Sequence, residues 1–277
     1  MTQNEQMIEF WNGPAGEAWA RHADDQDREL LGLGETALDA LAVAPGESVL
    51  DVGCGPGTTT VALAERVGAA GRVVGVDVSA PLLAVGRHRA AGLANVSFVE
   101  ADAQTVMPPG SPFDAVFSRF GLMFFENPEA AFANLHRATA AGGRLGFVCW
   151  QKPDANPWFL APMMAIVGLP GLEVPNPPGP EEPGPFAFAD PNRVRRILGA
   201  GGWRDIEVQA YEDEIVDDLD RRVEFSLRQG PAARALATAD DALRAAATAR
   251  VRDALAQAAD GALVRLSRAA WIVTART

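Results

Sequence analysis

Cysteine and histidine are scarce in this chain. The two cysteines, Cys54 and Cys149, lie far apart and match neither a metal knuckle nor a CxxC redox pair. Three scattered histidines, His22, His88 and His136, offer no zinc constellation, so no metal site is expected. Basic charge is short as well, with 24 Lys and Arg against 36 Asp and Glu and a net charge of -12. Sequence-independent affinity for nucleic acid comes from Lys and Arg displacing counterions from phosphates, so no nucleic-acid partner is expected. No apolar run reaches the roughly 18 to 20 residues of a membrane span, and no basic segment followed by an apolar one opens the chain. A cytoplasmic protein without a membrane span is the reading.

What is present is an ordinary globular composition. Over 277 residues, 48% are hydrophobic and 22% charged, which suits one elaborated α/β domain with a large core. Short β-rich runs alternate with helical stretches through the middle of the chain. Strand candidates begin near Ser48, Arg72, Asn95, Phe113 and Arg144, and RDIEVQAY and RAAWIVTA add a sixth and a seventh. Strands separated by helices are the mark of a doubly wound, mostly parallel sheet.

After Trp150 the alternation stops. Ten of the 20 prolines fall between Pro153 and Pro185, a density that predicts an irregular cap rather than a helix or central strand. A helix is expected from about Asp190 to Leu198, and an Ala-rich helical block through about Ala259. With no repeat and no separating linker, the reading is a single domain over 1–277. Residues 1–42 form an N-terminal helical lid and 43–150 the ligand-binding core. Residues 151–189 and 213–262 are cap insertions, and 190–212 and 263–277 complete the sheet.

The stretch VLDVGCGPGTTT, residues 49–60, places Gly53, Gly55 and Gly57 directly after a strand ending in Asp51. In an open parallel sheet, ligands bind outside the carboxyl ends of the strands, and the first βα turn is the usual cradle. The dinucleotide pattern G-x-G-x-x-G would need glycine at position 58, which is Thr58, and this weakens a nicotinamide-oxidoreductase reading. Strand two ends in VVGVDVS, so Asp77 follows Gly57 by 20 residues, where a carboxylate accepts from both hydroxyls of a ribose. Strand three ends in NVSFVEADAQ, with Asp102 placed to accept the amine of an adenine. Three acids at adjacent strand tips suit a ligand carrying an ammonium, a ribose and an amino-purine.

These motifs resemble the class I S-adenosylmethionine-dependent methyltransferases. VLDVGCGPG is similar to that family's first motif, GVDVS to its ribose acid, FVEADAQ to its adenine-edge motif and FDAVFSRFGLMFF to its fourth strand and loop. The likeness continues through FADPNRVRRILGAGGWRDIEV, as in bacterial small-molecule members related to the ubiquinone and menaquinone methyltransferases. It implies a Rossmann-like seven-stranded sheet with an antiparallel last strand, and S-adenosyl-L-methionine as cofactor. It also implies that Asp51, Gly53 and Gly55 surround the methionyl end, that Gly57 is cofactor-binding with them, that Asp77 holds the ribose and that Val78 packs on the adenine. Asp102 and Ala103 read the adenine edge, and Ser118 meets the cofactor's amino group. N-terminal residues close over the cofactor in the family, which brings in Trp11, Trp19 and Arg21, with Arg21 pairing with the methionyl carboxylate.

The remaining residues say less. His88 and His136 sit in crossover helices that lead away from the strand tips, which leaves His22 as the candidate base. Phe120, Met123, Trp150, Trp158 and Phe186 lie on the segments leaving strands four and five or in the cap, and are the candidate walls of an acceptor site. Methyl transfer from a sulfonium is an in-line displacement that needs alignment and exclusion of water, so the lack of a catalytic dyad does not oppose it. The function read is methyl transfer to a small, largely apolar or aromatic metabolite of secondary metabolism, through oxygen, nitrogen or carbon. The alternative is a cofactor-binding protein of the same fold that catalyses cyclisation or serves as a binding module. A small-molecule acceptor is the expected partner, and a homodimer is left open.

Overall fold

The computed structural model describes residues 4–174 and 176–277, with Pro231 described in its backbone only. Three helices lead, α1 Glu5–Asn12, α2 Pro14–Arg21 and α3 Ala23–Leu41. Strands and helices then alternate: β1 Ser48–Val52, α4 Thr58–Val67, β2 Arg72–Asp77, α5 Ala80–Arg89, β3 Val96–Glu100, β4 Phe113–Arg119, α6 Pro128–Ala138 and β5 Thr139–Trp150. The chain continues through α7 Pro157–Ile166, α8 Pro191–Ala200, β6 Arg204–Asp218, α9 Leu219–Arg228, α10 Gly230–Ala235, α11 Asp241–Ala256, β7 Ala259–Asp260 and β8 Leu263–Arg276.

Seven strands run in the order β3-β2-β1-β4-β5-β8-β6, and the two-residue β7 pairs with β8 off this path. Pairing is parallel from β3 through β5, and β8 runs antiparallel to β5. This is the doubly wound, mostly parallel sheet that the alternation predicts, closed by an antiparallel last strand. Strand order reverses at β1, whose neighbours are β2 and β4, so the crevice for a ligand opens at its carboxyl end. The central strands are apolar because helices cover both faces: Val49, Leu50, Ala115, Val116, Phe117 and Leu145 are each 0% exposed. Helices start where the sequence supplies caps. Ser79 accepts from Leu82 N at 3.5 Å, and Asn127 accepts from Ala130 N at 3.0 Å.

The chain divides into two compact units. The first holds residues 1–150, 180–211 and 270–277, and therefore the site; the second holds residues 151–179 and 212–269. Residues 180–189 go with the sheet rather than with the cap, carrying Phe186 and Phe188 with them.

The second unit corrects the reading of the proline-rich segment, because α7 is a helix there with Pro162 inside it. Pro157 lies in its first turn, where an N–H has no intrahelical partner to lose. Pro162 does remove a bond, but burial of Met163 and Ile166 offsets that loss. Ile166 packs in a core with Val251, Leu255 and Val264. The Ala-rich helical block comprises three helices, α9 to α11. β6 extends well beyond RDIEVQAY, and within this unit Asp213 accepts from Arg268 Nε at 2.7 Å and Nη2 at 2.5 Å.

Candidate functional site

The three glycines of the first βα turn have left-handed φ angles, +64° at Gly53, +52° at Gly55 and +79° at Gly57, so each is in backbone space that side chains avoid. Their surroundings differ. A Cβ on Gly53 would lie 2.8 Å from Gly121 Cα, and one on Gly57 would lie 2.9 Å from the Phe98 ring. Those two glycines serve close packing. A Cβ on Gly55 would meet nothing within 4 Å although the residue is buried, so Gly55 borders an enclosed space.

Asp51, in the strand that leads into this turn, is 0% exposed. Its Oδ2 accepts from Thr59 Oγ1 at 2.8 Å and from Thr60 Oγ1 at 2.7 Å, whereas its Oδ1 is buried without a hydrogen-bond partner. Burial pushes its carboxyl up to about 6, against the opposing pull of the two threonine hydroxyls and the Arg119 charge, with Asp77 adding to the rise. A buried carboxylate oxygen with an open lone pair is a receptor for a cation.

Asp77 closes β2 one strand away. Gly55 N and Ser79 N both donate to it at 2.8 Å, to Oδ2 and Oδ1, and burial raises its carboxyl above the ordinary range in spite of those donors. Each oxygen keeps a second lone pair for a hydroxyl donor. Asp102 follows β3, where its Oδ1 accepts from Gln104 N at 2.9 Å and from Asn4 Nδ2 at 3.2 Å. The register puts Asp51 beside Gly75 and Asp77 beside Glu100, so the three acids step along adjacent carboxyl ends.

The first two helices lie along these same tips. Asn12 Nδ2 donates to Val78 O at 2.8 Å, Asn12 Oδ1 accepts from Ala80 N at 3.0 Å, and Ser79 Oγ donates to Trp11 O at 2.7 Å. Asn4 N donates to Glu126. Trp11 meets Trp19 edge-on at 5.7 Å and Phe124 at 5.3 Å, forming an apolar cover. A Cβ on Gly16 would fall 1.8 Å from the Trp11 carbonyl oxygen, so only glycine lets α1 and α2 come this close. Asn4, Asn12 and Gly16 carry no local sequence signal, because what an isolated asparagine or glycine will face is set by tertiary packing.

Of the other expected site residues, Val78 is half-buried at the β2 tip, and Ala103 is buried with its carbonyl accepting from Asn134 Nδ2 at 3.0 Å. Ser118 lies near the end of β4, and its hydroxyl is engaged within the protein, donating to Val52 O at 2.7 Å and accepting from Gly121 N at 3.2 Å. Arg21 is exposed in the last turn of α2. His22 is half-buried at the junction of α2 and α3 and makes no side-chain capping bond there. Phe120, with φ +60°, stacks on Trp150 with ring centroids 4.1 Å apart and planes inclined by 17°. A bulky residue in left-handed backbone at a strand tip is strained, and such strain gathers at functional positions. Met123 is buried, with its carbonyl accepting from Gly184 N at 3.1 Å, and Phe186 is half-buried. Trp158 belongs to the second unit, where it packs against that unit's core and donates from Nε1 to Asn156 Oδ1 at 2.9 Å. Among the described residues, no cluster of His, Cys, Asp or Glu has a metal-holding arrangement, and no helix is long and apolar enough to cross a membrane. Cys54 and Cys149 are buried, and burial pushes both thiols up, away from nucleophilic use.

The partnerless Asp51 oxygen, the space bordered by Gly55 and the acids at the next two tips fit a nucleoside that carries an ammonium. Residues 49–143 match the family described as Methyltransferase domain. The match spans about a third of the chain, over the strands and the glycine turn that carry the three acids. The chain is also 30% identical over 153 residues to the ubiquinone/menaquinone biosynthesis C-methyltransferase UbiE of Marinomonas sp. (strain MWYL1), covering 54% of this chain and 55% of that protein. The chain spans about half the length of the curated relatives it matches. Among solved structures, the fold is similar to phosphoethanolamine N-methyltransferase 2 of Haemonchus contortus in complex with S-adenosyl-L-methionine, at 18% identity and a TM-score of 0.54, covering 89% of this chain and 52% of that one. It is also similar to the cyclase SpnF, at 21% identity and a TM-score of 0.52, covering 88% and 79%.

Proposed function

We propose that the protein transfers the methyl group of S-adenosylmethionine to a small, largely apolar or aromatic metabolite. The observation that carries the reading is the buried Asp51 carboxylate, whose Oδ1 lacks a partner at the mouth of the glycine turn. In this reading Asp51 receives the methionyl ammonium, Asp77 the ribose hydroxyls and Asp102 the adenine amine. The cofactor supplies an electrophilic methyl. The protein's part is to align the acceptor behind it and keep water out, which the aromatic cover of Trp11, Trp19 and Phe124 serves.

The acceptor approaches from the tips of β4 and β5, beside the buried, stacked pair of Phe120 and Trp150. A flat ring suits such a wall. The likeness to a C-methyltransferase supports a ring carbon as the first atom to try, since a carbon made nucleophilic by an adjacent phenolate needs no enzyme base at the moment of transfer. The test uses cofactor with a labelled methyl group and a panel of hydroxylated aromatic and quinol acceptors. Label recovered on an acceptor, with matching release of S-adenosylhomocysteine, supports the reading. Bound cofactor with no label transferred to any acceptor, and an acceptor rearranged or cyclised instead, would overturn it.

A further inference from the structure

We propose that Arg119, held in place by Asp27, takes the carboxylate of the cofactor's methionyl end. The assignment rests on the cofactor reading above and names a residue of that same site. An α-amino acid end presents an ammonium and a carboxylate from a single carbon, so its receptor must set an anion and a cation side by side. Asp51 is the anion. The structure assigns the cation to the next strand.

Arg119 is the last residue of β4. Phe117 lies beside Asp51 in the register, and Arg119 comes two residues later, so the side chains of Asp51, Phe117 and Arg119 share one face of the sheet. With strands about 4.8 Å apart and a rise of about 3.3 Å per residue, the Asp51 and Arg119 backbones are roughly 8 Å apart. α3 covers this face: Leu41 presses on Gly146, the neighbour of Phe117, and a Cβ on Gly34 would lie 3.1 Å from Arg119 Cδ. Arg119 is therefore clamped between the strand tips and a glycine of α3.

Asp27 fixes its head. Asp27 Oδ1 accepts from Arg119 Nη2 at 2.6 Å, while Oδ2 accepts from Arg89 Nη1 at 2.7 Å and Thr58 Oγ1 at 2.5 Å. The Arg119 side chain is only 9% exposed and that of Asp27 13%, so the pair is shielded from solvent. Two guanidinium groups share this one shielded carboxylate, because the second acid on Arg89, Asp24, is 90% exposed. The two guanidinium groups are balanced by Asp24 and Asp27, and Asp27 is the one ion-pair partner of Arg119 among the described residues. A guanidinium has five N–H donors, and the single bond to Asp27 leaves donors for a second carboxylate. Arg21 is exposed instead. Asp27 is a positioning residue in this scheme and does not touch the ligand.

The test is a binding comparison that turns on the carboxylate alone. S-adenosylhomocysteine, its decarboxylated analogue and 5′-methylthioadenosine, which lacks the amino-acid end, are titrated into the wild type and into Arg119→Gln, Arg119→Lys and Asp27→Asn, with thermal melting as the check on folding. In the wild type, loss of the carboxylate should weaken binding about tenfold or more, as expected for a charge-assisted pair. In Arg119→Gln that ratio should fall to about one while 5′-methylthioadenosine binds within about twofold of wild type. Arg119→Lys should recover part of the ratio, and Asp27→Asn should lower it without affecting 5′-methylthioadenosine. If Arg119→Gln does not fold, the wild-type ratio and Arg119→Lys carry the test. An unchanged ratio in folded variants, or equal losses for all three ligands, overturns the role of Arg119 alone. A wild type that binds none of them overturns the cofactor reading beneath it.

Discussion

The backbone N–H of Gly55 donates to Asp77 Oδ2 at 2.8 Å, so the turn after β1 and the acid that ends β2 form one unit. Asp77→Ala should therefore have two effects. Cofactor binding should weaken by roughly 2 to 4 kcal/mol, since hydrogen bonds to a charged acceptor contribute about 1.5 to 3 kcal/mol each before compensation by water. Stability should fall too, because Gly55 N and Ser79 N lose their acceptor, at about 1 to 3 kcal/mol for each donor left unsatisfied. Calorimetry on the folded variant checks the first effect and a melt the second. Unchanged affinity would remove Asp77 from the ribose.

The glycines should separate by role. Gly55→Ala puts a methyl group into open space at φ +52°, so it should fold with a loss of about 1 to 2 kcal/mol from the left-handed backbone. Its affinity for S-adenosylhomocysteine should drop far more than its stability. Gly53→Ala adds a clash 2.8 Å from Gly121 Cα to a similar backbone penalty, and should damage the fold first. Melting curves paired with ligand titration decide, and the opposite pattern would mean that Gly55 does not border the ligand.

The part of the site that a single local pattern encodes was legible in the sequence. Strand, glycine turn and helix, repeated with an acid at each strand end, gave Asp51, Asp77 and Asp102 because period and position are local properties. Arg119 was not legible in this way, since its partner Asp27 is 92 residues distant and sits in the acidic run RHADDQDRE, which reads as a solvated helix face. One signal was available: Ala23, Gln26, Leu30, Leu33 and Ala37 form the buried stripe of α3, and Asp27 falls four residues after Ala23 on its edge. Helix α7 was missed for a different reason. Proline density predicts irregular chain, yet Pro157 falls at a helix start and apolar burial outweighs the bond that Pro162 removes.

Asp51 makes the site sensitive to pH. Its carboxyl is raised from 3.8 to about 6, chiefly by burial, so below that value it is mostly neutral and cannot hold an ammonium. Affinity for S-adenosylhomocysteine should rise with pH up to about 6 and then level off, with proton release on binding below that point. Stability should run the other way. The folded state keeps this proton more tightly than the unfolded chain, so the contribution is complete below 3.8 and is lost as pH rises through about 6. Titrations from acid to neutral pH on the wild type and on Asp51→Asn check this, and an equal slope in the variant would assign the dependence to another group.

Gly16 tests the cover without deleting it. Gly16→Val forces α2 away from the Trp11 carbonyl, which also accepts from Ser79 Oγ, and so lifts the aromatic cover from the strand tips. The sheet should remain folded while turnover falls sharply, as it should on deletion of residues 1 to 22. Kinetics and circular dichroism on both variants check this. Normal turnover in either would remove Trp11 and Trp19 from the site.

The most direct test of the whole account is calorimetry of the full chain with S-adenosylhomocysteine and, separately, with NAD. The acids at the tips of β1, β2 and β3 and the threonine at position 58 predict binding of S-adenosylhomocysteine on the micromolar scale and no measurable heat with NAD. Tight NAD binding, or no binding of S-adenosylhomocysteine by the folded protein, would contradict it.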